Sequence, residues 1–430
     1  MNTDSMIERN IEELFRRRGG AVKPGLDRIC TLLGLMVNPQ DRYLSIHIAG
    51  TNGKGSVAAM VESILRASGL KTGLYTSPHL KSFSERIKIE GRPVEAFILE
   101  AAYEKAMAVE KERCMQGGER ASFFEMATAI GFECFRLANI QVAVVETGMG
   151  GRWDATNTLH AAVSAITPIA IEHSHYLGDT VEKIAAEKAG IIKIGTPVVI
   201  AEQQETVRAV FERVAEERVA PLRWVAESIS AECKQISLDG QRIKIESDRA
   251  SYPVLTCPLL GEHQVANAAQ AVATAEEFFD VCGIDLNPAA VKDGLSNVYW
   301  PGRGQIISRD PLVLLDGAHN PAAAEALAAL LRKLGGKRKL GLVLSFLKDK
   351  DAGKFIAAFG DHIDRCWVVP IDSPRAMEVE RILAAVKPAA NEVAVCELRD
   401  AYARACEWAK DADGMICVTG SLYLVGEFLQ

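Results

Sequence analysis

The chain has 430 residues, which is long for one hydrophobic core and predicts two domains. Its 48% hydrophobic residues are typical of a globular protein, and its formal net charge of -7 argues against a broad basic surface for nucleic acid or anionic lipid. No segment reaches the roughly 18 apolar residues of a membrane span, and the first twenty residues contain no apolar stretch of signal-peptide length. Ten cysteines lack any C-x-x-C pair, so we expect reduced, mostly buried thiols in a cytoplasmic protein.

Short apolar segments alternate with helical patterns along most of the chain, which predicts parallel sheets covered by helices. The strands predicted in the first part of the chain are 44–49, 141–147, 164–170 and 197–201. Those predicted in the last part are 312–315, 340–345, 366–370, 393–396 and 415–418. The fold class is therefore α/β, with a mostly parallel N-terminal sheet domain and a smaller Rossmann-like C-terminal domain.

The boundary between the two domains is predicted at SNVYWPGRGQ, residues 296–305, which is rich in turn formers and has little periodicity. The predicted domains are 1–297 and 305–430, joined by a hinge at 298–304. Residues 223–258 contain alternating segments such as QRIKIES, which predict antiparallel strands. We expect these strands to extend the edge of the first sheet.

A glycine-rich loop lies in HIAGTNGKGSVAAM, residues 47–60, between a predicted strand and a helix predicted over 56–67 with Gly69 just past its end. Backbone N–H groups and the helix dipole converge on an anion at such a turn. The loop departs from G-x-x-x-x-G-K-[ST], because Gly55 separates Lys54 from Ser56 and Ile48 stands at the position of the first glycine.

We predict a P-loop-type phosphate site here, since the glycines allow close backbone approach, Lys54 supplies a cation for the β- and γ-phosphates and Ser56 supplies a hydroxyl for Mg²⁺. The alternative is a glycine-rich turn without a ligand. The predicted nucleotide-binding residues of the loop are Gly50, Thr51, Asn52, Gly53, Lys54, Gly55 and Ser56.

The segment GTNGKGS resembles the phosphate loop of the muramyl-peptide ligase superfamily, whose members join an amine to a carboxylate using ATP. Within it, the chain resembles the folylpolyglutamate synthase family, often bifunctional as dihydrofolate synthase, from GLDRICTLLG at residue 25 to GSLYLVGE at residue 420. The resemblance implies a monomeric ATP-dependent ligase that adds L-glutamate to folates, and also to dihydropteroate, through an acyl phosphate. It implies two Mg²⁺ ions and partners limited to small molecules, without nucleic acid or membrane.

The acidic and metal-binding positions come from two further motifs. Glu146 ends a predicted strand at the edge where open α/β sheets bind ligands, and it opens ETGMGGRWDATN, a pattern of the family. The resemblance implies that Ser56 and Glu146 hold Mg²⁺ and that His173 holds a second metal ion. The alternatives are a solvated glutamate and a hydrogen-bonded loop histidine. The chain carries His175 where relatives commonly have an acidic residue, which leaves the charge around the metal open.

The resemblance also implies that Lys188 is the lysine that this superfamily carbamylates. Carbamylation needs a neutral amine to attack CO₂, and it converts a cation into an anionic oxygen ligand. The alternative is a cation that stabilises the last turn of a helix through the helix dipole.

Further nucleotide contacts are implied later in the chain. The resemblance places Asn267 near the adenine and Arg303 on the linker, where its guanidinium reaches phosphates once the domains close. The family often has a bulky residue after this arginine, so Gly304 predicts a looser linker. Asp316 and His319 are implied at the nucleotide and the incoming glutamate, with capping as the alternative.

The next helix is predicted to start with Asn320 as its N-cap and Pro321 as its first residue. The substrate contacts implied by the resemblance involve YTSPHLKSFSERIKIEG, residues 75–91, as the pterin-side loop. In it, Arg86 is the expected partner of a folate or glutamate carboxylate.

The remaining implied substrate residues are His79 and Phe124 beside the pterin, Asp154 at the substrate, and Ser421 at an α-carboxylate. For Phe124 core packing is the alternative, and for Ser421 it is capping of the final helix. Two alternative functions remain open at this point: a related ligase acting on another carboxylic acid, and a nucleotide-gated binding protein without ligase chemistry.

Overall fold

The computed structural model describes residues 10, 11, 13–15 and 24–430, so most of the first twenty residues lie outside the described part of the chain. Two compact units are formed. The first comprises the described residues up to Ala231 together with 245–253 and 267–297. The second comprises 232–244, 254–266 and 298–430.

The first unit contains an eight-stranded sheet with the strand order β4-β3-β2-β5-β1-β6-β7-β8. Its strands are β1 (Leu44–Ala49), β2 (Thr72–Tyr75), β3 (Ile87–Ile89), β4 (Arg92–Pro93), β5 (Val142–Glu146), β6 (Val163–Ile166), β7 (Val198–Ile200) and β8 (Leu222–Trp224). The strands from β2 to β8 in this order run parallel, whereas β3 and β4 form an antiparallel edge. The predicted mostly parallel sheet is therefore confirmed.

The central strand β1 lies between β5 and β6, and every residue after Leu44 is buried. Such burial on both faces explains its nearly continuous apolar sequence. The predicted strand 164–170 was too long, since β6 ends at Ile166. Beyond that point the carbonyl of Pro168 accepts hydrogen bonds from the N–H groups of Thr51 and Asn52 in the glycine-rich loop. The chain after β6 therefore supports the loop instead of extending the sheet.

The helices of the first unit follow the strands in chain order. They are α1 (Asp27–Leu35), α2 (Lys54–Ala67), α3 (Ala96–Met115), α4 (Phe123–Leu137), α5 (Ser174–Leu177), α6 (Val181–Lys188), α7 (Glu205–Glu217), α8 (Val225–Ser228), α9 (Glu262–Val281, in this unit from Asn267 onward) and α10 (Pro288–Ser296). One apolar cluster includes α1, α3 and α4, and another joins α6 and α7 to β6 and β7.

The helix α2 is buried along most of its length, from Ser56 to Leu65. Gly294 of α10 allows close helix packing, because a Cβ there would lie 2.5 Å from the Cα of Ile64. The hydroxyl of Ser63 donates a 2.7 Å hydrogen bond to the carbonyl of Gly294. These contacts fix the helix whose first turn borders the glycine-rich loop.

A separate three-stranded sheet follows, with the order β11-β10-β9. Its strands are β9 (Ile229–Ser237), β10 (Gly240–Ser247) and β11 (Leu255–Cys257), and β10 pairs with β11 in antiparallel orientation. The expectation that this region extends the first sheet was wrong. The three strands form a sheet of their own, and apolar side chains such as Ile236 and Leu238 pack on the core of the second unit.

The second unit contains a six-stranded sheet with the order β12-β13-β17-β14-β15-β16, in which only β12 is antiparallel to its neighbour. Its strands are β12 (Gln305–Arg309), β13 (Leu312–Leu315), β14 (Lys339–Leu344), β15 (Ile363–Val368), β16 (Ala390–Val395) and β17 (Gly414–Thr419). Its helices are α11 (Pro321–Gly335), α12 (Ala352–Ala357), α13 (Val379–Val386), α14 (Leu398–Ala412) and α15 (Leu422–Phe428). The α/β class predicted for this part is confirmed.

All ten cysteines are free thiols, as expected. The expectation that most are buried was wrong, because only Cys134, Cys257, Cys366 and Cys417 are buried. The others lie on partly exposed surfaces, where a thiol packs as a small apolar side chain. In the part of the chain that the structure describes, no helix is both long enough and apolar enough to cross a bilayer.

Candidate active site

The glycine-rich loop joins β1 to α2, and α2 begins at Lys54, two residues earlier than predicted. Gly53 is the N-cap residue in a left-handed conformation with φ of +89°. The chain after β6 anchors the loop, because the N–H groups of Thr51 and Asn52 donate hydrogen bonds to the carbonyl of Pro168 over 3.0 and 3.3 Å. The hydroxyl of Thr51 donates to the carbonyl of Ala170 over 3.1 Å.

Two glycines of the loop are required by their surroundings. Gly50 has φ of +143°, and a Cβ there would overlap the hydroxyl of Thr167. A Cβ at Gly53 would lie 2.5 Å from Oδ1 of Asn267, so the side chain predicted near the adenine lies directly on the loop. Both positions therefore have a steric as well as a conformational need for glycine.

A cation, a carboxylate and a hydroxyl meet around this loop. Lys54 Nζ donates a 3.2 Å hydrogen bond to the carbonyl of Thr51 and lies 4.0 Å from Oε1 of Glu146. The Glu146 side chain is buried, and its Oε2 accepts a 3.2 Å hydrogen bond from the N–H of Ser77. Ser56, also buried, lies in the first turn of α2.

These oxygen donors fit the chemistry of Mg²⁺, which prefers oxygen and retains several waters beside one or two protein ligands. Among the described residues, no group of three His, Cys, Asp or Glu side chains could hold a metal ion. His173 therefore does not join Glu146 and a third such side chain in one cluster. It has φ of +51°, and its Nε2 lies 4.0 Å from Oε1 of Glu172. His175, which stands where relatives commonly have an acidic residue, is exposed, and its ring packs edge-on against the ring of Tyr176.

Lys188, the last residue of α6, is buried against the loop. Its Nζ donates a 2.5 Å hydrogen bond to the carbonyl of Gly50. Burial, helped by the positive charge of Lys54, lowers the pKa of Lys188 to about 7. A substantial fraction of this amine is thus neutral at physiological pH, which an ordinary surface lysine is not.

The segment after Glu146 packs against the end of α6. Arg152 N–H donates a 2.8 Å hydrogen bond to the carbonyl of Glu187. A Cβ at Gly151 would lie 2.8 Å from the carbonyl oxygen of Lys188, and the amide of Asn157 donates to the carbonyl of Gly190 over 3.1 Å. The glycine-rich motif that follows β5 therefore helps to fix the position of Lys188.

Asp154 holds this segment in shape through hydrogen bonds within the protein. Its Oδ2 accepts from the N–H of Met149 over 2.9 Å, and its Oδ1 accepts from the N–H and the hydroxyl of Thr156 over 3.0 and 2.5 Å. Burial raises the pKa of Asp154, and these hydrogen bonds act in the opposite direction. Its predicted contact with substrate stays a prediction.

The hydroxyl of Thr156 also lies 2.8 Å from Nε2 of His47 on β1. Because Thr156 gives its proton to Asp154, Nε2 of His47 must donate the hydrogen bond, which assigns the tautomer of this ring. Burial lowers the pKa of His47 to about 3, so the ring is neutral. The chain His47–Thr156–Asp154 thus ties the strand before the loop to the segment against Lys188.

The predicted substrate residues of the first unit form an aromatic cluster. Arg86 is buried, its Nε donates a 3.0 Å hydrogen bond to Nδ1 of His79, and its guanidinium lies 5.5 Å from the ring centre of Phe123. The half-buried ring of Phe124 covers Gly148, where a Cβ would overlap it. The structure brings His79 and Arg86 together, and it places Phe124 over the segment that follows Glu146.

Asp316 and the residues around it form a hydrogen-bonded turn within the second unit. Oδ2 of Asp316 accepts from the N–H of Gly304 over 2.8 Å, and its Oδ1 accepts from the N–H of Ala318 over 2.8 Å. This hydrogen bond holds Gly304, whose φ of +58° suits glycine, and the looser linker expected there stays a prediction. Arg303 Nη1 donates to the carbonyl of Gly302 over 3.1 Å.

Two helix starts in the second unit agree with the sequence. Asn320 caps α11 by accepting a 2.9 Å hydrogen bond from the N–H of Ala323, and Pro321 is the first residue of the helix. Ser421 caps α15 by accepting from the N–H of Tyr423 over 3.1 Å. His319 donates through Nδ1 to the carbonyl of Gly317 over 2.8 Å. The predicted ligand contacts of His319 and Ser421 stay predictions.

Thr147 and Thr167 are two buried residues that sequence reasoning missed. Their N–H groups donate to the carbonyls of Ile48 and Ala49 over 2.9 and 2.8 Å, so the two threonines flank the end of β1. Both hydroxyls are buried without a hydrogen-bond partner within the described structure. Unsatisfied buried hydroxyls are rare and mark sites for water or ligand. A threonine directly after each strand beside β1 was the only signal in the sequence.

The arrangement of loop, lysines and carboxylate corresponds to a known class of enzyme. Residues 48–275 match the Mur ligase middle domain, and residues 302–422 match the Mur ligase glutamate ligase domain. These matches cover more than half of the chain, so the chain belongs to the Mur ligases.

Comparison with similar proteins identifies the family within this class of ligases. The dihydrofolate synthase/folylpolyglutamate synthase of Mycobacterium tuberculosis is 40% identical over 94% of this chain and 86% of its own length. The folylpolyglutamate synthase of Lacticaseibacillus casei is 35% identical over 94% of this chain and 93% of its own. The structure of the Mycobacterium tuberculosis folylpolyglutamate synthase complexed with ADP has a TM-score of 0.93 at 37% identity, covering 100% of this chain and 98% of that one. This chain belongs to the dihydrofolate synthase/folylpolyglutamate synthase family.

Proposed function

We propose that this protein is an ATP-dependent ligase that joins the amino group of L-glutamate to the carboxylate of a folate, and also of dihydropteroate. The observation that carries the proposal is a strand, glycine-rich loop and helix with Lys54, buried Glu146 and buried Lys188 around the loop, since such turns suit anions. The complex with ADP that is named for the Mycobacterium tuberculosis relative supports nucleotide binding by this chain.

The proposed reaction has two steps. A carboxylate oxygen of the folate attacks the γ-phosphorus of ATP, which forms an acyl phosphate and releases ADP. The glutamate nitrogen then attacks the acyl carbon, and the tetrahedral intermediate collapses to an amide with inorganic phosphate as the leaving group. The protein contributes mainly placement and charge neutralisation, as in other phosphoryl transfers.

The loop residues supply that neutralisation. Backbone N–H groups at the start of α2 and the ammonium of Lys54 would face the phosphates of a bound nucleotide. Ser56 and Glu146 would hold Mg²⁺, which neutralises charge on the phosphate oxygens when it is bound. The second metal ion predicted at His173 belongs to the proposal, and Glu172 is its neighbouring carboxylate.

Carbamylation of Lys188 is also part of the proposal. Burial favours the neutral amine that CO₂ needs, and the amine lies against Gly50 at the base of the loop. The resulting carbamate would carry a negative charge beside Lys54, where an oxygen ligand for a metal ion is useful. Its formation would release one proton, leave one N–H on Nζ that can still donate to the carbonyl of Gly50, and add an anionic carboxylate beside the loop.

The substrate contacts are proposed from their positions. Arg86 is the carboxylate partner, while His79 and Phe124 border the pterin and Asp154 shapes the adjoining segment. The predicted roles of Asn267, Arg303, Asp316, His319 and Ser421 toward nucleotide and glutamate remain part of this proposal. A cytoplasmic location and a monomeric state stay predictions from the sequence.

The test is ADP release by the purified chain with ATP, Mg²⁺, L-glutamate and either dihydropteroate or a reduced folate. We expect ADP release that requires glutamate and one of these acids, and a product whose mass increases by one glutamyl residue. A panel of other carboxylic acids tests the related-ligase alternative. Nucleotide binding without amide formation by any acid would instead support a nucleotide-gated binding protein.

A further inference from the structure

The chain that follows β6 leaves the sheet beside the glycine-rich loop. The strand ends at Ile166, whose carbonyl accepts a 3.0 Å hydrogen bond from the N–H of Ala201, directly after β7. Two residues later Pro168 has no N–H with which to extend the ladder. The backbone groups of this segment, residues 167–170, therefore need other hydrogen-bond partners.

One side of the segment is bonded to the glycine-rich loop. The carbonyl of Pro168 accepts hydrogen bonds from the N–H groups of Thr51 and Asn52 over 3.0 and 3.3 Å. The hydroxyl of Thr51 donates to the carbonyl of Ala170 over 3.1 Å and accepts from the N–H of the same residue over 3.2 Å. The position of the loop at residues 51 and 52 therefore depends on where residues 168 and 170 lie.

The other side of the segment is held by the half-buried side chain of Gln203, which lies between β7 and α7. Its Oε1 accepts a 3.1 Å hydrogen bond from the N–H of Ile169, and its Nε2 donates a 3.2 Å hydrogen bond to the carbonyl of Thr167. A side-chain amide carries an acceptor and donors side by side, so it can pair with a carbonyl and an N–H as a neighbouring strand does. Gln203 thus takes the place of β7 after the backbone of that strand has ended.

The amide of Gln203 has no apolar equivalent at this position. Thr167 and Ile169 are both buried, so loss of the amide would leave a buried carbonyl and a buried N–H unpaired. The same loss would free residues 167–170 on one side, while their other side carries the hydrogen bonds to the loop. Disorder of this segment would therefore be transmitted to Thr51 and Asn52.

We propose that Gln203 is a positioning residue for nucleotide binding, which acts on the glycine-rich loop through residues 167–170. Its two hydrogen bonds go to this segment and not to the loop. The proposal rests on the proposed function, because it takes the loop as the site of the phosphates of ATP. The segment continues to His173, so Gln203 also influences where the histidine predicted to hold the second metal ion lies.

The test compares the full wild-type chain with Gln203→Met, which keeps a side chain of similar length and removes both hydrogen-bonding groups. The matched control is Gln204→Met, since the next residue is also a glutamine, is exposed and does not cap α7 with its side chain. Calorimetric titration with Mg²⁺ and AMPPCP, a non-hydrolysable ATP analogue, measures the Kd. We expect Gln203→Met to raise this Kd about 5- to 50-fold, because two hydrogen bonds that order the support of the loop are lost. Gln204→Met should stay within about twofold of the wild type.

Hydrogen exchange and kinetics separate positioning from a general loss of stability. The N–H groups of Thr51 and Asn52 should exchange about tenfold faster in Gln203→Met than in the wild type, while those of β14 and β17 in the second unit should keep their rates. The KM for ATP should rise with the Kd, and kcat at saturating ATP should stay within about twofold. An unchanged Kd in folded Gln203→Met, or equally faster exchange in both units, would overturn the proposal.

A second variant, Gln203→Glu, keeps the length and the acceptor for Ile169 but removes the donor to Thr167. Its Kd for AMPPCP should lie between those of the wild type and Gln203→Met. If the methionine variant did not fold, a Kd of Gln203→Glu equal to that of the wild type would overturn the proposal. An absence of ADP release with every acid would refute the ligase function, whereas this comparison of nucleotide affinities needs no amide product and would still decide on Gln203.

Discussion

The Nζ of Lys188 lies 2.5 Å from the carbonyl oxygen of Gly50, so the end of α6 is hydrogen-bonded directly to the first glycine of the glycine-rich loop. The two residues are 138 positions apart in the chain. A buried lysine is costly, because burial disfavours its charged form. For Lys188 this effect outweighs the charges of Glu172, Asp154 and Glu146, which act in the opposite direction, so its pKa is lowered to about 7.

Carbamylation of Lys188 is the first prediction. The chain equilibrated with ¹³C-bicarbonate should give one carbamate signal in the ¹³C NMR spectrum, and Lys188→Met should lack it. Activity of the wild type should fall when CO₂ is removed and return when bicarbonate is added. The exposed Lys183 provides a control, since Lys183→Met should retain the signal. A spectrum that is the same for wild type and Lys188→Met would contradict the assignment.

The depressed pKa of Lys188 also predicts how stability depends on pH. Its folded-state pKa is about 7, while an unfolded lysine titrates near its ordinary value of about 10.4. Below pH 7 the amine is protonated in both states, so the folded state bears the full cost of the buried charge. Between these two values the unfolded state binds more protons, so stability should increase with pH.

Urea unfolding in CO₂-free buffer from pH 6 to 9 measures this effect. The variant Lys188→Met carries no charge at this position in the folded or the unfolded state, so its free energy of unfolding should rise less with pH. The stability difference between variant and wild type should narrow above pH 7 by up to about 1.4 kcal/mol per pH unit. Parallel curves for the two proteins would mean that Lys188 titrates as an ordinary lysine.

The substitution Gly50→Ala should destabilise the protein strongly, although it adds only one methyl group. The new Cβ would overlap the Thr167 hydroxyl at a backbone φ of +143°, so we expect a loss of about 2 kcal/mol or more in the free energy of unfolding. ATP affinity should fall with it. Gly34→Ala is the control, since that position lies in α1 with no atom near its Cβ and should gain about 0.5 to 1 kcal/mol. Similar stabilities for both variants would show that Thr167 does not restrict Gly50.

Thr156→Val should break the connection between His47 and Asp154. The change leaves a buried N–H without an acceptor and removes one donor from the carboxylate, so we expect a loss of about 1 to 3 kcal/mol in unfolding free energy. Thr156→Ser keeps the hydroxyl and should cost less than about 1.5 kcal/mol. Thermal or urea unfolding compares the two. If valine and serine were equally tolerated, the hydrogen bonds through this hydroxyl would contribute nothing to stability.

Local features of the nucleotide loop could be predicted from the sequence. The bounds of β1, the position of the loop and the N-cap of α11 follow from apolar runs, glycines and a capping asparagine. The start of α2 at Lys54 was missed because Gly55 is a poor helix former, and the buried surroundings of the helix override that preference. The strand predicted through Ala170 failed because Pro168 cannot donate to a ladder.

Contacts between distant parts of the chain could not be predicted. The hydrogen bond between His47 and Thr156 joins residues 109 positions apart, and no local pattern records it. The strands β9, β10 and β11 alternate apolar and polar residues as any half-buried strand does. Their sequence therefore does not indicate which core they pack against. The unpaired hydroxyls of Thr147 and Thr167 became evident only from burial.

The most direct test of the central claim follows the oxygen atoms of the reaction. A folate labelled with ¹⁸O in the reacting carboxylate should transfer one ¹⁸O to inorganic phosphate for each amide formed, because that oxygen bridges carbon and phosphorus in the acyl phosphate. Mass spectrometry of the phosphate measures the transfer. Phosphate carrying one labelled oxygen is the expected result, and amide formation with unlabelled phosphate would contradict an acyl phosphate made at this loop.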